Sequence, residues 1–319
     1  MNIQDKLFNV KKLGIAGHVR PDGDCVGSCM GLYNYICENF PQIETHVYME
    51  STGDRFNYIN NMDKVEEEVV DTDFDLFISV DVSDKERIGV AYDVFNATTN
   101  TLCIDHHISN DGFAKENIVV PLASSASEVV FDILDEEKIS KDTAEALYTG
   151  IVHDSGVFKY SSTSRHTMEV AGKLIDKGFN FQSIIDDGFY SRSYIQNKIL
   201  GRALLESIVF LDGKCIFSAL SKENINFYGV THQELGGIAE QLRLTRGVEC
   251  AIFIYETNDF EYKVSLRSNN FIDCNEVAGY FGGGGHIRAA GCTMKGTTHD
   301  VINNLAEKIE IQFLRTEAN

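Results

Sequence analysis

Apolar and polar positions divide the chain into two halves with different rhythms. In the first half, short apolar runs alternate with longer stretches of helical spacing. Residues 13–19, opening on Leu13-Gly14-Ile15-Ala16, predict a strand, and the loop 20–24 holds the turn formers Pro21 and Gly23. Asp24 is the expected N-cap of a helix running from about residue 25 to 39. Residues 45–50 alternate and predict a second strand, and 54–65 a loop with a short helix. Residues 75–81 are almost continuously apolar, as in a strand buried on both faces, and 102–104 add another. Helical spacing then takes over at 124–137, 142–152 and 165–177, the last closed by Gly178. Strands alternating with helices argue for an α/β fold, a parallel sheet covered by helices. Such sheets bind ligands beyond the carboxyl ends of their strands.

Residues 188–206 predict a connecting helix carrying Ile195, Ile199 and Leu204. Beyond it the strands look short and hairpin-like, at 208–211, 214–220, 251–256 and 262–267. Helices are expected at 232–244, 275–281 and 299–313. This is the pattern of a smaller α/β domain with a mixed sheet. The expected organisation is therefore residues 1–190, a linker helix 191–206, and residues 207–319.

A chain of 319 residues can bury two such cores. Its 43% apolar and 24% charged content excludes wholesale disorder, and its three Pro exclude Pro-rich linkers. No apolar run approaches the roughly 20 residues that span a bilayer. The start, Met1-Asn2-Ile3-Gln4-Asp5-Lys6, has no secretory pattern, so no membrane association and a cytoplasmic location are expected. The eight Cys form no Cys-x-x-Cys pair, and Cys25 and Cys29 read as buried thiols on an apolar helix. The net charge of −20 is uneven: residues 1–190 hold 15 basic against 33 acidic side chains, residues 191–319 hold 13 against 15. No basic stripe for long nucleic acid is evident. An acidic half can still handle phosphate when its carboxylates hold divalent cations, which points to a small anionic substrate.

The candidate chemistry lies at the ends of these elements. Asp105-His106-His107 follows the apolar run Thr101-Leu102-Cys103-Ile104, and a carboxylate with two imidazoles there suits a divalent metal better than a core. His18, Asp22 and Asp24 follow the first strand, Asp81 closes Leu76-Phe77-Ile78-Ser79-Val80, and Asp154 follows a helical pattern. Singly, each has an ordinary reading as a loop histidine, a helix cap or a turn residue. Jointly, six such residues at element ends are hard to assign to chance. Four carboxylates and two imidazoles are too many for one zinc ion and suit two ions, Mn²⁺ first, with Mg²⁺ or Co²⁺ behind it. Asp81 is the natural bridge between them, and two bridged ions can polarise a phosphate and generate a hydroxide nucleophile. His107 is then free to contact phosphate or protonate a leaving oxygen, and Asp105 is expected to orient His106 or a neighbour rather than to bind metal itself. His153 reads as a bystander.

The second half has its own signal in Gly282-Gly283-Gly284-Gly285-His286, followed by Arg288-Ala289-Ala290-Gly291. Glycines let an anion approach backbone N–H groups, and His286 and Arg288 add donors. Arg267-Ser268, at a strand end, is a second candidate phosphate contact.

The order His18-x-x-x-Asp22-x-Asp24, Asp81, Asp105-His106-His107 and Asp154 resembles the DHH phosphoesterase superfamily. The Gly-rich stretch ending in His286 resembles its associated C-terminal substrate domain, and together they cover nearly the whole chain. The two-domain layout is similar to the bacterial nanoRNase/pAp-phosphatase branch. That resemblance implies Mn²⁺-dependent hydrolysis of short oligoribonucleotides and of 3′-phosphoadenosine 5′-phosphate (pAp). It also implies that His18, Asp22 and Asp81 hold one ion, and that Asp24, Asp81, His106 and Asp154 hold the other. The Gly-rich loop (Gly283, Gly284, Gly285), His286 and residues like Arg267 would grip substrate across an interdomain cleft. RecJ-type exonucleases are longer, DHH-type pyrophosphatases lack the Gly-rich His loop, and membrane-bound cyclic-dinucleotide phosphodiesterases carry membrane segments. A stand-alone cyclic- or linear-dinucleotide (c-di-AMP or pApA) phosphodiesterase is the alternative enzyme, and an inactive nucleotide-binding sensor the alternative of another class. Ser155 stands where the family pattern leads us to expect Thr, which keeps the hydroxyl. A homodimer is left open.

Overall fold

The computed structural model describes residues 2–317. They divide into two compact units, one ending at Ser191 and the other beginning at Arg192. The first contains β1 (Lys12–Ala16), α1 (Gly23–Asn39), β2 (Glu44–Tyr48), β3 (Val65–Glu66), β4 (Leu76–Val80), α2 (Tyr92–Ala97), β5 (Thr101–Asp105), β6 (Glu116–Val119), α3 (Ala126–Ile133), α4 (Lys141–Asp154), α5 (Arg165–Ile175) and α6 (Phe181–Ile185). Its six strands form one parallel sheet in the order β3-β2-β1-β4-β5-β6. The fold class expected from the alternation is the one observed. The chain moves outward from β1 to β3, then crosses back to β4 on the other side of β1. This leaves a crevice at the carboxyl ends of β1 and β4, the place where such sheets hold ligands.

The helix after β1 begins earlier than expected. Asp22, not Asp24, is its N-cap, accepting from Asp24 N at 3.1 Å and Cys25 N at 3.2 Å. Asp24 is thereby placed in the first turn and driven inward. α1 is buried from Gly23 to Ile36, which requires close neighbours on several sides. Glycines allow this. A Cβ at Gly27 would stand 2.5 Å from Gly150 N, and one at Gly31 would meet Leu147. α1 and α4 therefore cross almost backbone to backbone.

Other bounds differ for local reasons. The helix expected at 124–137 is shorter, because the Ser125 hydroxyl caps α3 by accepting from Glu128 N and a separate turn covers 136–138. The expected helix 188–206 is broken: residues 186–190 form a π-turn, and a Ser193/Gln196 capping box starts α7 (Tyr194–Leu205) afresh.

The second unit continues with β7 (Ile208–Phe210), β8 (Cys215–Leu220), α8 (Lys222–Tyr228), α9 (Ile238–Arg243), β9 (Cys250–Asn258), β10 (Glu261–Ser268), α10 (Cys274–Tyr280), β11 (Gly284–His286), β12 (Ala289–Lys295) and α11 (Thr298–Glu317). α7 buries Ile199 and Ala203 against β8 and β9 residues of this unit. The sheet is mixed, in the order β11-β12-β10-β9-β8-β7, with only β8 and β9 parallel. β9 and β10 are nine and eight residues long, not short. The helix expected at 232–244 is interrupted at Gly237, whose φ of +82° ends one turn and starts α9. Part of the Gly-rich stretch is strand: Gly284–His286 pair antiparallel with Ala289–Gly291. Among the described residues, no helix is long and apolar enough to cross a membrane.

Candidate metal centre

Three loops and one helix end converge at the crevice of the parallel sheet. His18 lies two residues beyond β1, Asp81 directly follows β4, His106 and His107 follow β5, and Asp154 is the last residue of α4. Asp81 has φ of +60°, the left-handed region that Asp tolerates better than most residues. It is 3% exposed, and its two oxygens face opposite sides. Oδ2 is 3.5 Å from His18 Nε2, while Oδ1 is 3.6 Å from His106 Nε2 and 3.7 Å from His107 Nδ1. Oδ1 is buried without a hydrogen-bond partner.

Each histidine is turned by its other nitrogen. His18 Nδ1 donates to Val19 O at 2.8 Å, leaving Nε2 toward Asp81 and Asp22, 3.7 Å away. His106 Nδ1 donates to Ala123 O at 3.3 Å, leaving Nε2 toward Asp81, Asp154 (3.3 Å) and Asp24 (3.9 Å). A backbone carbonyl on one ring nitrogen is the usual way to fix a metal-ligating imidazole. His107 is held differently: its Nδ1 donates to Asp105 Oδ1 at 2.7 Å. Asp105 is fully buried, and its other oxygen accepts from Asn110 Nδ2 at 2.7 Å. Asp105 therefore orients His107, not His106, and is a positioning residue. Asn110, in turn anchored on Val82 O at 3.0 Å, was missed in the sequence. A polar residue three positions after the His pair is the signal that could have found it.

Asp24 is 1% exposed and accepts from Ala126 N at 2.6 Å and Ser127 N at 3.0 Å, the free N–H groups at the start of α3. The helix crossing holds it there. A Cβ at Gly150 would lie 1.9 Å from Ser127 Oγ and 2.5 Å from Asp24 Oδ1. Asp154 sits at the carboxyl end of α4, where the helix dipole disfavours an anion. His153 points elsewhere: it donates to Thr149 O at 2.8 Å and packs against Phe56, Phe189 and Gly23.

The electrostatics are those of crowded anions. Burial first, then Asp81 and Asp154, pushes Asp24 well above the usual carboxylate range. Burial pushes Asp154 up to about 6, His106 opposing it and Asp81 adding to it. Burial also raises Asp81, against the pull of His18. Burial disfavours charge on His18, yet hydrogen bonds to the Asp22 and Asp81 carboxylates outweigh it and raise the imidazole well above its ordinary range. Burial likewise works against Asp22, but His18 and the Cys25 and Asp24 amides bring it down to about 2. His107 is raised, chiefly by Asp105.

These residues fit divalent cations. Clustered carboxylates, an orphaned Asp81 oxygen and imidazoles fixed from behind form a donor set that a hard or borderline ion satisfies. Potential ligand atoms of Asp81, His106 and His107, and of Asp24, His106 and Asp154, lie within 4.8 Å of one another, as do those of His18, Cys25 and Asp81. Cys25 enters because its sulfur accepts from His18 N at 3.2 Å.

The second unit's candidates are arranged otherwise. Gly283, Gly284, Gly285, His286 and Arg288 are exposed. A Cβ at Gly283 would stand 2.2 Å from Gly291 O, and one at Gly285 2.5 Å from Ala289 O, so the hairpin needs glycine at both. Gly283 N donates to Ala278 O at 2.9 Å and Gly285 N to Asn275 Oδ1 at 3.0 Å, so these two amides are already engaged. The Arg288 guanidinium donates to Ile272 O at 3.0 Å and to Asn270 O. Ser268 is 3% exposed and donates to Ile272 O at 2.7 Å, and Arg267 Nη1 donates to Leu266 O at 2.9 Å. His286 is left facing solvent.

Residues 12–151 match the model of the DHH family, N-terminal domain, and residues 212–313 that of the DHHA1 domain. A bacterial relative, the probable bifunctional oligoribonuclease and PAP phosphatase NrnA of Streptococcus mutans, is 31% identical over 86% of this chain and 86% of its own. The chain belongs to the DHH family. The bifunctional oligoribonuclease and PAP phosphatase NrnA of Mycoplasma pneumoniae is 30% identical over 91% of this chain and 90% of its own. That of Bacillus subtilis is 26% identical over 87% of both. Among solved structures, an exopolyphosphatase-related protein from Bacteroides fragilis superposes with a TM-score of 0.82 at 25% identity, covering 97% of this chain and 94% of that one. The similarity thus extends over both the parallel-sheet unit and the mixed-sheet unit of this chain.

Proposed function

We propose that this chain is a metal-dependent phosphoester hydrolase that degrades short oligoribonucleotides to mononucleotides and removes the 3′-phosphate of pAp. The observation that carries the reading is Asp81, whose two oxygens face separate imidazoles across a buried acidic crevice. The names of full-length relatives support the substrate classes. Two ions are proposed, Mn²⁺ preferred, with His18, Asp22 and Asp81 on one side and Asp24, Asp81, His106 and Asp154 on the other. When bound, they supply charge neutralisation for the phosphate and an activated water. The chain's own residues do the rest. His107, fixed by Asp105 and raised by it in basicity, is placed to donate to a phosphate oxygen or the leaving oxygen. The part of the second unit that follows α7, residues 207–319, binds substrate through His286 and the Gly283–Gly285 hairpin, with Arg267 and Arg288 around it. Ser268 supports that wall from inside. The acidic first half disfavours long polyanions, and the working location is the cytoplasm.

The test is a turnover panel with Mn²⁺: pAp, RNA dimers to pentamers, a 24-mer of matching sequence, pyrophosphate and cyclic di-AMP. The reading expects pAp and the shortest RNAs to lead in kcat/KM. Equal efficiency on dimer and 24-mer, or a preference for cyclic di-AMP, overturns it.

A further inference from the structure

A second group of metal-type ligands lies in the first unit and has no part in the reading above. On β2, alternate residues Glu44, His46 and Tyr48 share the face opposite Val47, which packs into the core under α1. Glu44 opens the strand and pairs with Lys12, the first residue of β1. The loop before β4 adds Asp71, and β3 adds Glu66, in register with Tyr48.

The geometry points to a divalent-metal site of zinc type formed by Glu44, His46 and Asp71, separate from the centre at Asp81. His46 Nε2 is 3.0 Å from Glu44 Oε1 and 3.6 Å from Asp71 Oδ2, and the three ligand atoms lie within 4.8 Å of one another. Tetrahedral bonds of about 2.0 Å place ligands roughly 3.3 Å apart, between the two separations observed. Behind the imidazole, Nδ1 donates to Glu66 Oε1 at 2.7 Å, the carboxylate–histidine arrangement that turns Nε2 toward an ion.

An independent observation comes from Tyr48. Its side chain is fully buried, and its hydroxyl has no hydrogen-bond partner. Its ring lies parallel to that of His46, at 6.1 Å and 4°. Beyond burial, the charges that raise that hydroxyl are those of Glu66, Asp71 and Glu44, all belonging to this cluster. A buried phenol without a partner is costly. A water completing the coordination of an ion here would supply such a partner.

The charges agree. Lys12 lies 3.0 Å from Asp71 Oδ1 and 3.7 Å from Glu44, offsetting one of three carboxylates. A proton on His46 leaves the group with one excess negative charge, whereas a divalent ion in its place brings it to neutrality. The ion would tie the loop carrying Asp71 to the sheet edge, a structural role.

The experiment uses the full chain, stripped by chelation and titrated with Zn²⁺ against a chromophoric chelator. Wild type should bind one more equivalent than Asp71→Asn or Glu44→Gln, or bind that equivalent at least roughly 10-fold more tightly. The same equivalent should persist in Asp81→Ala, where the other centre is disabled. Zn²⁺ should raise the Tm of wild type more than that of either variant, and both variants should keep Mn²⁺-supported turnover within about two-fold. Folding of the variants is checked by their Tm without zinc, and the Glu44 carboxylate is exposed enough to replace safely. Equal zinc stoichiometry and affinity in wild type and both variants overturns the proposal. So does a loss of Tm that is the same with and without zinc, which would mean that the cluster serves only to hold Lys12. The zinc count does not depend on which phosphoester is hydrolysed, so it stands or falls apart from the turnover panel.

Discussion

The crevice of the first unit and the glycine hairpin of the second both present histidine beside polar or backbone groups suited to phosphate chemistry, yet differ in how these are held. In the crevice, Asp24, Asp81 and Asp105 are almost wholly buried, and each imidazole is fixed through its second nitrogen. In the hairpin, the glycines, His286 and Arg288 are exposed, and several of their donors are already engaged with neighbouring carbonyls. A site for chemistry needs groups fixed before substrate arrives. A site for grip needs a surface that tolerates different ends of a substrate.

The contrast breaks first at Asp81. Asp81→Ala is expected to abolish turnover and release bound metal while circular dichroism stays native. Asp81→Asn tolerates the left-handed backbone almost as well, so it separates lost charge from lost conformation. Near-wild-type turnover in either variant removes the bridge. His107→Ala should lose about 10²–10⁴-fold in kcat with metal content intact, the range of a general acid. His106→Ala should instead lose metal, and identical metal analyses for the two would erase their division of labour.

Gly150→Ala adds one methyl group and removes no candidate ligand. Its Cβ collides with Ser127 and Asp24, so a cost of about 1–3 kcal/mol from overpacking is expected. Metal affinity should fall roughly 10-fold or more, measured by competition with a chelator.

A smaller effect follows from Asp154, raised to about 6 in the metal-free protein. A carboxyl whose folded pKa is raised favours the folded state when protonated, and this contribution is lost as pH rises through about 6. Metal needs the deprotonated form, so the Mn²⁺-induced rise in Tm should be larger at pH 7.5 than at pH 5. An equal rise at both values contradicts the assignment. The smallest changes are expected in the second unit. His286→Ala should mainly raise KM, with kcat and metal content unchanged. Arg288→Ala should do the same and also lower Tm, because its guanidinium holds the carbonyls of Asn270 and Ile272.

The parallel sheet was legible because its strands are apolar runs and polar, metal-type residues stand at their ends. The six metal-type residues were legible for the same reason: polar groups beside buried strands are conspicuous. What the pattern hid was tertiary. Nothing local to Asp24 shows that its carboxylate reaches the start of α3, 102 residues away. The capping role of Asp22 was masked because both aspartates suit an N-cap and only packing decides between them. β3 and β6 were missed because they are short and polar and lie at the sheet edges. The second unit was less legible, because a glycine run reads as a loop until its partner strand is in place.

The crossing of α1 over α4 has a consequence for how this site could diversify. Asp24 rides on one helix and Asp154 on the other, so their spacing is measured out by the thickness of two bare backbones meeting at Gly27 and Gly150. The glycines act as a spacer gauge. If Asp24 and Asp154 hold metal as proposed, a chain could retune the distance between them, and with it the ion it prefers, by changing the size of residues 27 and 150 while both carboxylates stayed the same. Selectivity would then be written into two positions that touch neither metal nor substrate.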